Sequence, residues 1–179
     1  MSRLTTRTTS ELHATTIQAL EPVRLNGKIS DVYLQFSNSE AALQAYLQME
    51  ESLRKGSLSI TELEAVKLWV SEQTGCDFCL SVHSFKAAQA GLSEEQQLAI
   101  RSGYPSGDVR IDALLTMAGT VFRTPGSVPQ AMLDEARAVG LTDENLVDLM
   151  MAVSTIFFTN ITNHINDTKS SLPPAPALA

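Results

Sequence analysis

Helix start and stop signals follow one another along almost the whole chain, and they constrain its fold more than any other feature. Ser59 with Glu62 and Ser93 with Gln96 form capping boxes, whose side chains pair with the free N–H groups of a first helical turn. Glycines stand where such helices must end, at Gly56, Gly91, Gly103 and Gly140. Apolar residues recur at helical spacing between these signals. The pattern predicts an all-α fold.

The signals also divide the chain into predicted helices and connections. The helices span about 39–56, 59–74, 76–90, 93–103, 108–123, 127–140 and 142–166, with a break at Pro125-Gly126. Residues 22–37 carry some β-prone residues, which an irregular, extended connection explains as well as a strand does. We expect an N-terminal extension (1–37: polar start, helix, irregular connection), a helical domain (38–168) and a disordered Pro-rich tail (169–179).

Two features of the predicted helices suggest a larger architecture. The sequence GLTDENLVDLMMAVSTI at 140–156 aligns loosely with SLSITELEAVKLWVSEQ at 57–73, as in a duplicated helical hairpin, although capped helices in general look alike. The helix over 142–166 is apolar nearly all round, so it must be covered on every side. We expect it to lie centrally and to contribute to a subunit interface.

Charge and composition limit the classes of partner. The chain has 179 residues, enough for one domain with its own core. Its net charge of −7 argues against nucleic acid or an anionic membrane, because both attract clustered Lys and Arg. The most apolar run, 146–158, is interrupted by Asp148. The N-terminal MSRLTTRTTS faintly resembles a transit peptide, but Glu11 and Glu21 break that pattern, and we expect a cytoplasmic protein.

The stretch TGCDFCLSVH, 74–83, contains both cysteines of the chain and one of its three histidines. Two cysteines in a reducing compartment do not form a disulfide framework, so their placement calls for a chemical reason. If a helix begins near Cys76, then Cys76, Cys79 and His83 project along one stripe of it. The helix start favours thiolate over thiol, and the imidazole can take the proton of Cys79 directly or through a water.

A zinc site, a static disulfide and simple packing each account for this cluster less well than redox chemistry does. A structural zinc site uses four ligands, and a second cysteine pair is missing, which leaves a three-ligand site completed by Glu64. A static disulfide between residues three apart constrains the unfolded chain little. Mere packing of buried cysteines conflicts with the polar neighbours Asp77, Ser81, His83 and Ser84. The cluster is therefore interpreted as a redox pair.

Glu64 is the candidate acid of this site. The tight break at Thr74-Gly75 places the preceding helix antiparallel to the cysteine helix, and Glu64 then reaches the level of His83. Its neighbours are apolar, so it can be a partly buried acid that orients the imidazole. A solvated surface acid is the other interpretation.

The sequence EAVKLWVSEQTGCDFCLSVHSFKAAQAGLSEEQ, 64–96, resembles the core motif of the carboxymuconolactone decarboxylase superfamily, in its AhpD-like alkylhydroperoxidase branch. The motif is a Glu, eleven residues, Cys-x-x-Cys, three residues and a His, and Glu64, Cys76, Cys79 and His83 satisfy every position. The resemblance implies an AhpD-like helical bundle with a repeated helical hairpin, assembled as a trimer or hexamer.

The resemblance also implies a thiol peroxidase. Cys79 would attack a small-molecule hydroperoxide and become a sulfenic acid that condenses with Cys76, while His83, held by Glu64, relays the proton. A dithiol reductant protein would then reduce the pair, and neither cofactor nor metal is implied. Phe78 stands where the best-studied type has a histidine, which predicts weaker peroxidase activity or exchange with another partner.

Two hypotheses therefore follow from the sequence. The first is a peroxidase that uses the CxxC pair with a Glu–His proton relay. The alternative is a non-peroxidase thiol-disulfide or metal-binding helical oligomer that acts as a redox sensor. The decarboxylase branch of the superfamily lacks the CxxC, so decarboxylation is not predicted.

Overall fold

The computed structural model describes residues 2–24, 26–123 and 126–178, and these ranges contain helices without strands. The α-helices are α1 (Ala14–Leu20), α2 (Asp31–Phe36), α3 (Glu40–Lys55), α4 (Ile60–Thr74), α5 (Asp77–Gln89), α6 (Glu94–Ser102), α7 (Val109–Arg123), α8 (Gln130–Ala138) and α9 (Asp143–Asn166). Short 3₁₀ turns lie at Thr9–Glu11, Glu21–Val23 and Ser37–Ser39. The predicted all-α class is confirmed.

The capping signals of the sequence set the helix starts as predicted. Ser59 begins α4 and Ser93 begins α6, each through a reciprocal capping box. Thr142 caps α9 in the same way, with Asn145 as its partner. Gly75 ends α4 at a φ of 64°, in the left-handed region that glycine adopts without the steric cost of a Cβ. Local side-chain chemistry therefore explains these boundaries.

Two stretches differ from the prediction. Helix α2 lies within 22–37, where the sequence predicts an irregular connection, and Phe36 at its end is buried. Burial of this short helix against its neighbours stabilises it where local propensity gives little signal. Helix α8 begins at Gln130 rather than at Ser127, because Val128 precedes Pro129 and is sterically disfavoured in the α region. The predicted break at Pro125-Gly126 lies partly outside the described residues.

Helix α4 is the centre of the main hydrophobic core. Every residue from 62 to 71 is buried, and the helix contacts α5, α6, α7 and α9. Its strongest partner, α9, contributes Leu149, Ala152 and Ile156 to the same core. The antiparallel neighbour α5 follows directly after Gly75. Side chains on any face of α4 are therefore shielded from water, including the charged ones.

A second hydrophobic cluster joins the N-terminal segment to α3. It is built from Leu12, Leu20, Ile29, Phe36, Leu43 and Leu47. Helix α3 also contacts α9, so it links this cluster to the main core. At the other end of the chain, Ala175 packs against the main core and the Arg101 guanidinium donates to the Pro176 carbonyl. The division into 1–37, 38–168 and a disordered tail stays a prediction.

Helix α9 has one buried and one exposed side. It is the one helix in the described ranges that is long and apolar enough to cross a membrane, which is weak evidence because a core helix passes the same test. Its exposed apolar residues are Val147, Phe157, Phe158, Ile161 and Ile165. The central position expected from the sequence thus holds for one side only, and the described residues cover the other side only in part.

Candidate active site

The junction between α4 and α5 brings the two cysteines together. Cys76 is the N-cap of α5, and its backbone N–H donates to the Ser71 carbonyl at 3.1 Å. Its sulfur accepts the backbone N–H of Cys79 at 3.3 Å, as the side-chain oxygen of an ordinary N-cap would. Cys79 lies in the first turn of the helix. Both sulfurs therefore lie at the positive end of the α5 dipole.

The two sulfurs are joined in a disulfide, so the structure describes the oxidised form of the pair. The Cα atoms of Cys76 and Cys79 are 5.2 Å apart, and each residue is 3% exposed. The predicted proximity of the sulfurs is confirmed. Their burial limits contact with solvent to a small part of their surface.

Glu64 and His83 form a buried hydrogen-bonded pair between α4 and α5. Oε2 of Glu64 lies 2.7 Å from Nδ1 of His83, and the residues are only 4% and 7% exposed. The structure therefore places the candidate acid beside the imidazole, and the solvated interpretation of Glu64 is wrong. A carboxylate at this distance fixes the orientation of the ring.

The environment of the pair favours a neutral imidazole beside an ionised carboxylate. Burial lowers the pKa of His83, and the opposing effect of Glu64 is smaller, so this pKa lies below its ordinary value. Burial by itself raises the pKa of Glu64, but the hydrogen bond from His83 and the nearby positive charges, Lys67 and Lys86 among them, outweigh it, and the pKa falls below its ordinary value. Nδ1–H then donates to the carboxylate, which leaves Nε2 with a free lone pair that can accept a proton.

The imidazole of His83 makes no hydrogen bond to either sulfur in the described part of the chain, and its one side-chain hydrogen bond there is to Glu64. A direct hydrogen bond between the imidazole and a sulfur, one of the two proton routes that the sequence leaves open, is therefore not seen in this oxidised geometry. Cys79 and His83 are both buried on α5, one helical turn apart.

An ion pair outside the sequence motif adjoins the acid. Lys67, one turn after Glu64 on α4, donates to both carboxylate oxygens of Glu50 on α3, at 2.8 and 3.0 Å. The positive charge of Lys67 contributes to the lowered pKa values of both Glu64 and His83. Spacing on α4 identifies Lys67 as a neighbour of Glu64, but its partner on α3 has no local sequence signal.

Helix α9 contributes two residues that the sequence motif does not contain. Asn163 Nδ2 donates to the sulfur of Cys79 at 3.5 Å, and Asn163 is 4% exposed. His164 Nε2 donates to the Thr74 carbonyl at 2.9 Å and so caps the end of α4. Both lie more than 80 residues after the cysteines in the sequence, and a polar residue on an apolar helix is the only signal that could have found Asn163.

A cavity of about 300 Å³ opens beside Cys76, here called the Cys76 cavity. Asn163 and His164 of α9 form one side of it, and Phe78 and Ser81 of α5 form another. Residues of the chain after α9, among them Lys169, complete the wall. A small molecule that enters this cavity meets the disulfide region from the side of Cys76.

The zinc alternative requires the cysteines, His83 and Glu64 to converge on one point. Across the described ranges, no group of three or more His, Cys, Asp and Glu side chains is arranged to hold a metal ion. Nδ1 of His83 is already bound to Glu64. The residues are therefore not arranged as a three-ligand zinc site in this oxidised form.

The fold and site together define an all-helical protein with a CxxC pair at a helix start and a buried Glu–His pair beside it. Residues 40–110 match the model of the carboxymuconolactone decarboxylase family. The matched segment contains Glu64, Cys76, Cys79 and His83, and the predicted resemblance to the carboxymuconolactone decarboxylase family is confirmed for this segment. No curated protein matches this sequence.

Solved structures share the fold over nearly the whole chain. An AhpD-core, peroxidase-related protein from Ralstonia eutropha JMP134 is 17% identical with a TM-score of 0.81, over 95% of this chain and 92% of that one. A peroxidase-related protein from Silicibacter sp. TM1040 is 18% identical with a TM-score of 0.74, over 96% and 90%. The debrominase Bmp8, in complex with 2,3,4-tribromopyrrole, is 18% identical with a TM-score of 0.68, over 94% and 93%. These similarities confirm the AhpD-like fold.

Proposed function

We propose that the protein is a thiol-dependent oxidoreductase that reduces small hydroperoxides with the Cys76–Cys79 pair. The observation that supports this proposal most directly is the buried CxxC pair at the start of α5, one turn from an imidazole held by Glu64. The family segment and the peroxidase-related proteins of the same fold agree with it. Because a debrominase shares the fold, the fold does not dictate the substrate.

The reaction consumes two thiols and one hydroperoxide. The Cys79 thiolate attacks the terminal oxygen, the O–O bond breaks, and the alkoxide that leaves takes up a proton and becomes the alcohol. Cys79 is then a sulfenic acid. The Cys76 thiol attacks that sulfur and releases water, which forms the disulfide seen in the structure. Each turnover therefore yields one alcohol, one water and one disulfide.

His83 carries the proton between these steps. Its unprotonated Nε2 accepts the proton of the Cys79 thiol through a water, and the resulting imidazolium returns that proton to the alkoxide. Glu64 stabilises the imidazolium through the 2.7 Å hydrogen bond to Nδ1. The start of α5 stabilises the thiolate through its dipole and its free N–H groups.

A dithiol reductant protein restores the thiols by disulfide exchange, and the Cys76 cavity is the route by which a thiolate reaches the pair. We further propose that the protein works in the cytoplasm as a homotrimer or homohexamer. The partly exposed apolar side of α9 supports assembly. Nucleic acid and membranes are not among the proposed partners, since the net charge is −7.

The experiment is single-turnover reaction of the reduced protein with an alkyl hydroperoxide, followed by thiol titration and intact mass. The parent chain should lose two thiols per peroxide. Cys76→Ser should stop at a sulfenic acid that a dimedone probe captures on Cys79, and the matched variant Cys79→Ser should not react. The proposal fails if Cys79→Ser consumes peroxide at the parental rate.

A second candidate is a thiol-disulfide exchange protein or redox sensor without peroxidase activity. Phe78, between the cysteines and at the cavity wall, favours it because phenylalanine cannot carry a proton. This candidate predicts rapid exchange with a dithiol protein and no loss of peroxide. The metal-binding form of this candidate predicts stoichiometric zinc in protein purified without chelator.

A further inference from the structure

Asn163 is in an unusual position for an amide side chain. It lies in the last turns of α9 and is 4% exposed, and its Nδ2 donates to the sulfur of Cys79 at 3.5 Å. Its Oδ1 is buried and has no hydrogen-bond partner in the part of the chain that the structure describes. Buried amide oxygens are nearly always paired, because an unpaired one loses its hydration without compensation. A partner for this oxygen has to come from outside the described residues.

The position of Asn163 shows where such a partner comes from. Asn163 lines the Cys76 cavity, whereas Cys79 does not, so the amide stands between the space open to a small molecule and the sulfur. Because Oδ1 itself is buried, a molecule in the cavity hydrogen-bonds to it only after the cavity wall at Asn163 shifts, and that molecule then lies next to Cys79. A hydroperoxide has the complementary group, since its terminal oxygen carries a proton to donate.

We propose that Asn163 is a catalytic residue that holds the sulfur of Cys79 as a thiolate through Nδ2 and positions the hydroperoxide through Oδ1. A hydrogen bond to a sulfur favours the anion over the thiol. The hydrogen bond from Nδ2 concerns the sulfur alone. The positioning of the hydroperoxide by Oδ1 rests on the proposed peroxidase function.

The amide exchanges no proton in the reaction. Oδ1 accepts the O–H of the hydroperoxide, which holds the terminal oxygen beside the thiolate. The S–O bond forms as the O–O bond breaks, and the electron pair leaves on the alkoxide, which is protonated by the His83 imidazolium through water. Nδ2 keeps its hydrogen bond to the same sulfur in the sulfenic acid and in the disulfide, where it is observed.

The chain offers a matched control one turn earlier on the same helix. Asn160 is fully buried and donates to Thr74 Oγ1 at 2.8 Å, and its Oδ1 is likewise unpaired in the described residues. Unlike Asn163, it has no hydrogen bond to a sulfur in the described part of the chain and does not line the Cys76 cavity. A purely structural role predicts the same behaviour for both asparagines.

The first test measures the alkylation rate of Cys79 by iodoacetamide as a function of pH, in a Cys76→Ser background that leaves one thiol. Asn163→Leu should raise the midpoint by about one pH unit, the usual effect of a lost hydrogen bond to a charged group. Asn163→Asp keeps the shape of the side chain but adds a negative charge, so it should raise the alkylation midpoint of Cys79 further. Asn160→Leu should leave the midpoint unchanged. Equal midpoints for the Asn163 variants and the parent would overturn the proposal.

The second test separates substrate positioning from ionisation. At a pH above every midpoint, Asn163→Leu should react with iodoacetamide at the parental rate but with an alkyl hydroperoxide about tenfold more slowly. Equal peroxide rates would refute the role of Oδ1. If Asn163→Leu does not fold, Asn163→Ala, which also lacks both Oδ1 and Nδ2, provides both measurements. A parent chain that never consumes peroxide would refute the proposed function, and the midpoint shift would still decide the role of Nδ2.

Discussion

The Nδ1 atom of His83 lies 2.7 Å from Oε2 of Glu64, and this contact joins the middle of α5 to the beginning of α4 inside the core. Both groups are buried, so the carboxylate acts on the imidazole with little competition from water. The carboxylate on the preceding helix therefore raises the pKa of His83, although burial lowers that pKa by more.

Replacing Glu64 should slow the thiol chemistry. In Glu64→Gln the imidazolium loses a charge-assisted hydrogen bond worth about 1.5–3 kcal/mol, so His83 becomes a weaker base. We expect alkylation of Cys79 at pH 7 to slow by about tenfold or more. Glu62→Gln is the matched control, because Glu62 is a buried acid of the same helix that pairs with Arg110 away from the sulfurs. It should lower stability but leave the alkylation rate unchanged, and an unchanged rate in Glu64→Gln would contradict the relay.

The same pair should make the fold sensitive to acid. The pKa of His83 is lowered in the folded protein, so below pH 6.5 the unfolded chain binds a proton that the folded chain does not, and stability falls until the lowered pKa is reached. The lowered pKa of Glu64 adds a further loss below pH 4.5. Urea unfolding of the oxidised protein between pH 7.5 and 5 measures the first loss. The free energy of unfolding of His83→Gln should decrease less over that range. If the parent and the variant show parallel curves of this free energy against pH, His83 is not the source of the loss.

The buried ion pair of Lys67 with Glu50 should contribute strongly to stability only as a pair. Their side chains are 5% and 15% exposed, so Lys67→Met leaves a carboxylate without compensation and should cost about 3 kcal/mol in the free energy of unfolding. The double variant with Glu50→Gln should recover most of that loss. Lys55→Met is the comparison, because its pair with Glu51 is 73% and 57% exposed and should contribute less than about 1 kcal/mol. Equal losses for the two lysine variants would contradict this prediction.

The exposed side of α9 should be a contact between subunits. Ile161 and Ile165 lie one turn apart and are 39% and 57% exposed. A double variant with lysine at both positions should convert a trimer or hexamer into smaller species in sedimentation velocity, because charges in an apolar interface are desolvated without partners. Tyr104→Lys, at an exposed site in the connection after α6, is the control. A parent chain that sediments as a monomer would refute the assembly.

The sequence predicts the helix boundaries where the physical signal is local. Capping boxes at Ser59, Ser93 and Thr142 act within one turn, so their positions can be identified without the fold. Helix α2 is different, since it is short and depends on burial in the N-terminal cluster, which only the folded chain creates. The start of α8 was predictable from Val128 and Pro129, but Ser127 offers a competing cap signal.

The contacts of the candidate site likewise fall into those that follow from local sequence and those that depend on the fold. The spacing of Cys76, Cys79 and His83 on one helix suffices to bring them together, and the turn at Gly75 positions Glu64 on the neighbouring helix. The contact between Asn163 and Cys79 joins residues 84 positions apart, and it depends on how α9 packs against the other helices. Tertiary packing of this kind leaves no pattern in a short stretch of sequence.

The turn between α4 and α5 has a consequence for how the protein changes between its disulfide and dithiol forms. The backbone N–H groups of Gly75 and Cys76 bond to carbonyls of α4, and the Cys76 carbonyl accepts from Leu80 in α5. These bonds, rather than the link between the sulfurs, determine where both cysteine backbones lie. We therefore expect that opening the link leaves the two thiols facing each other, so that the protein passes between the disulfide and dithiol forms without rebuilding any helix.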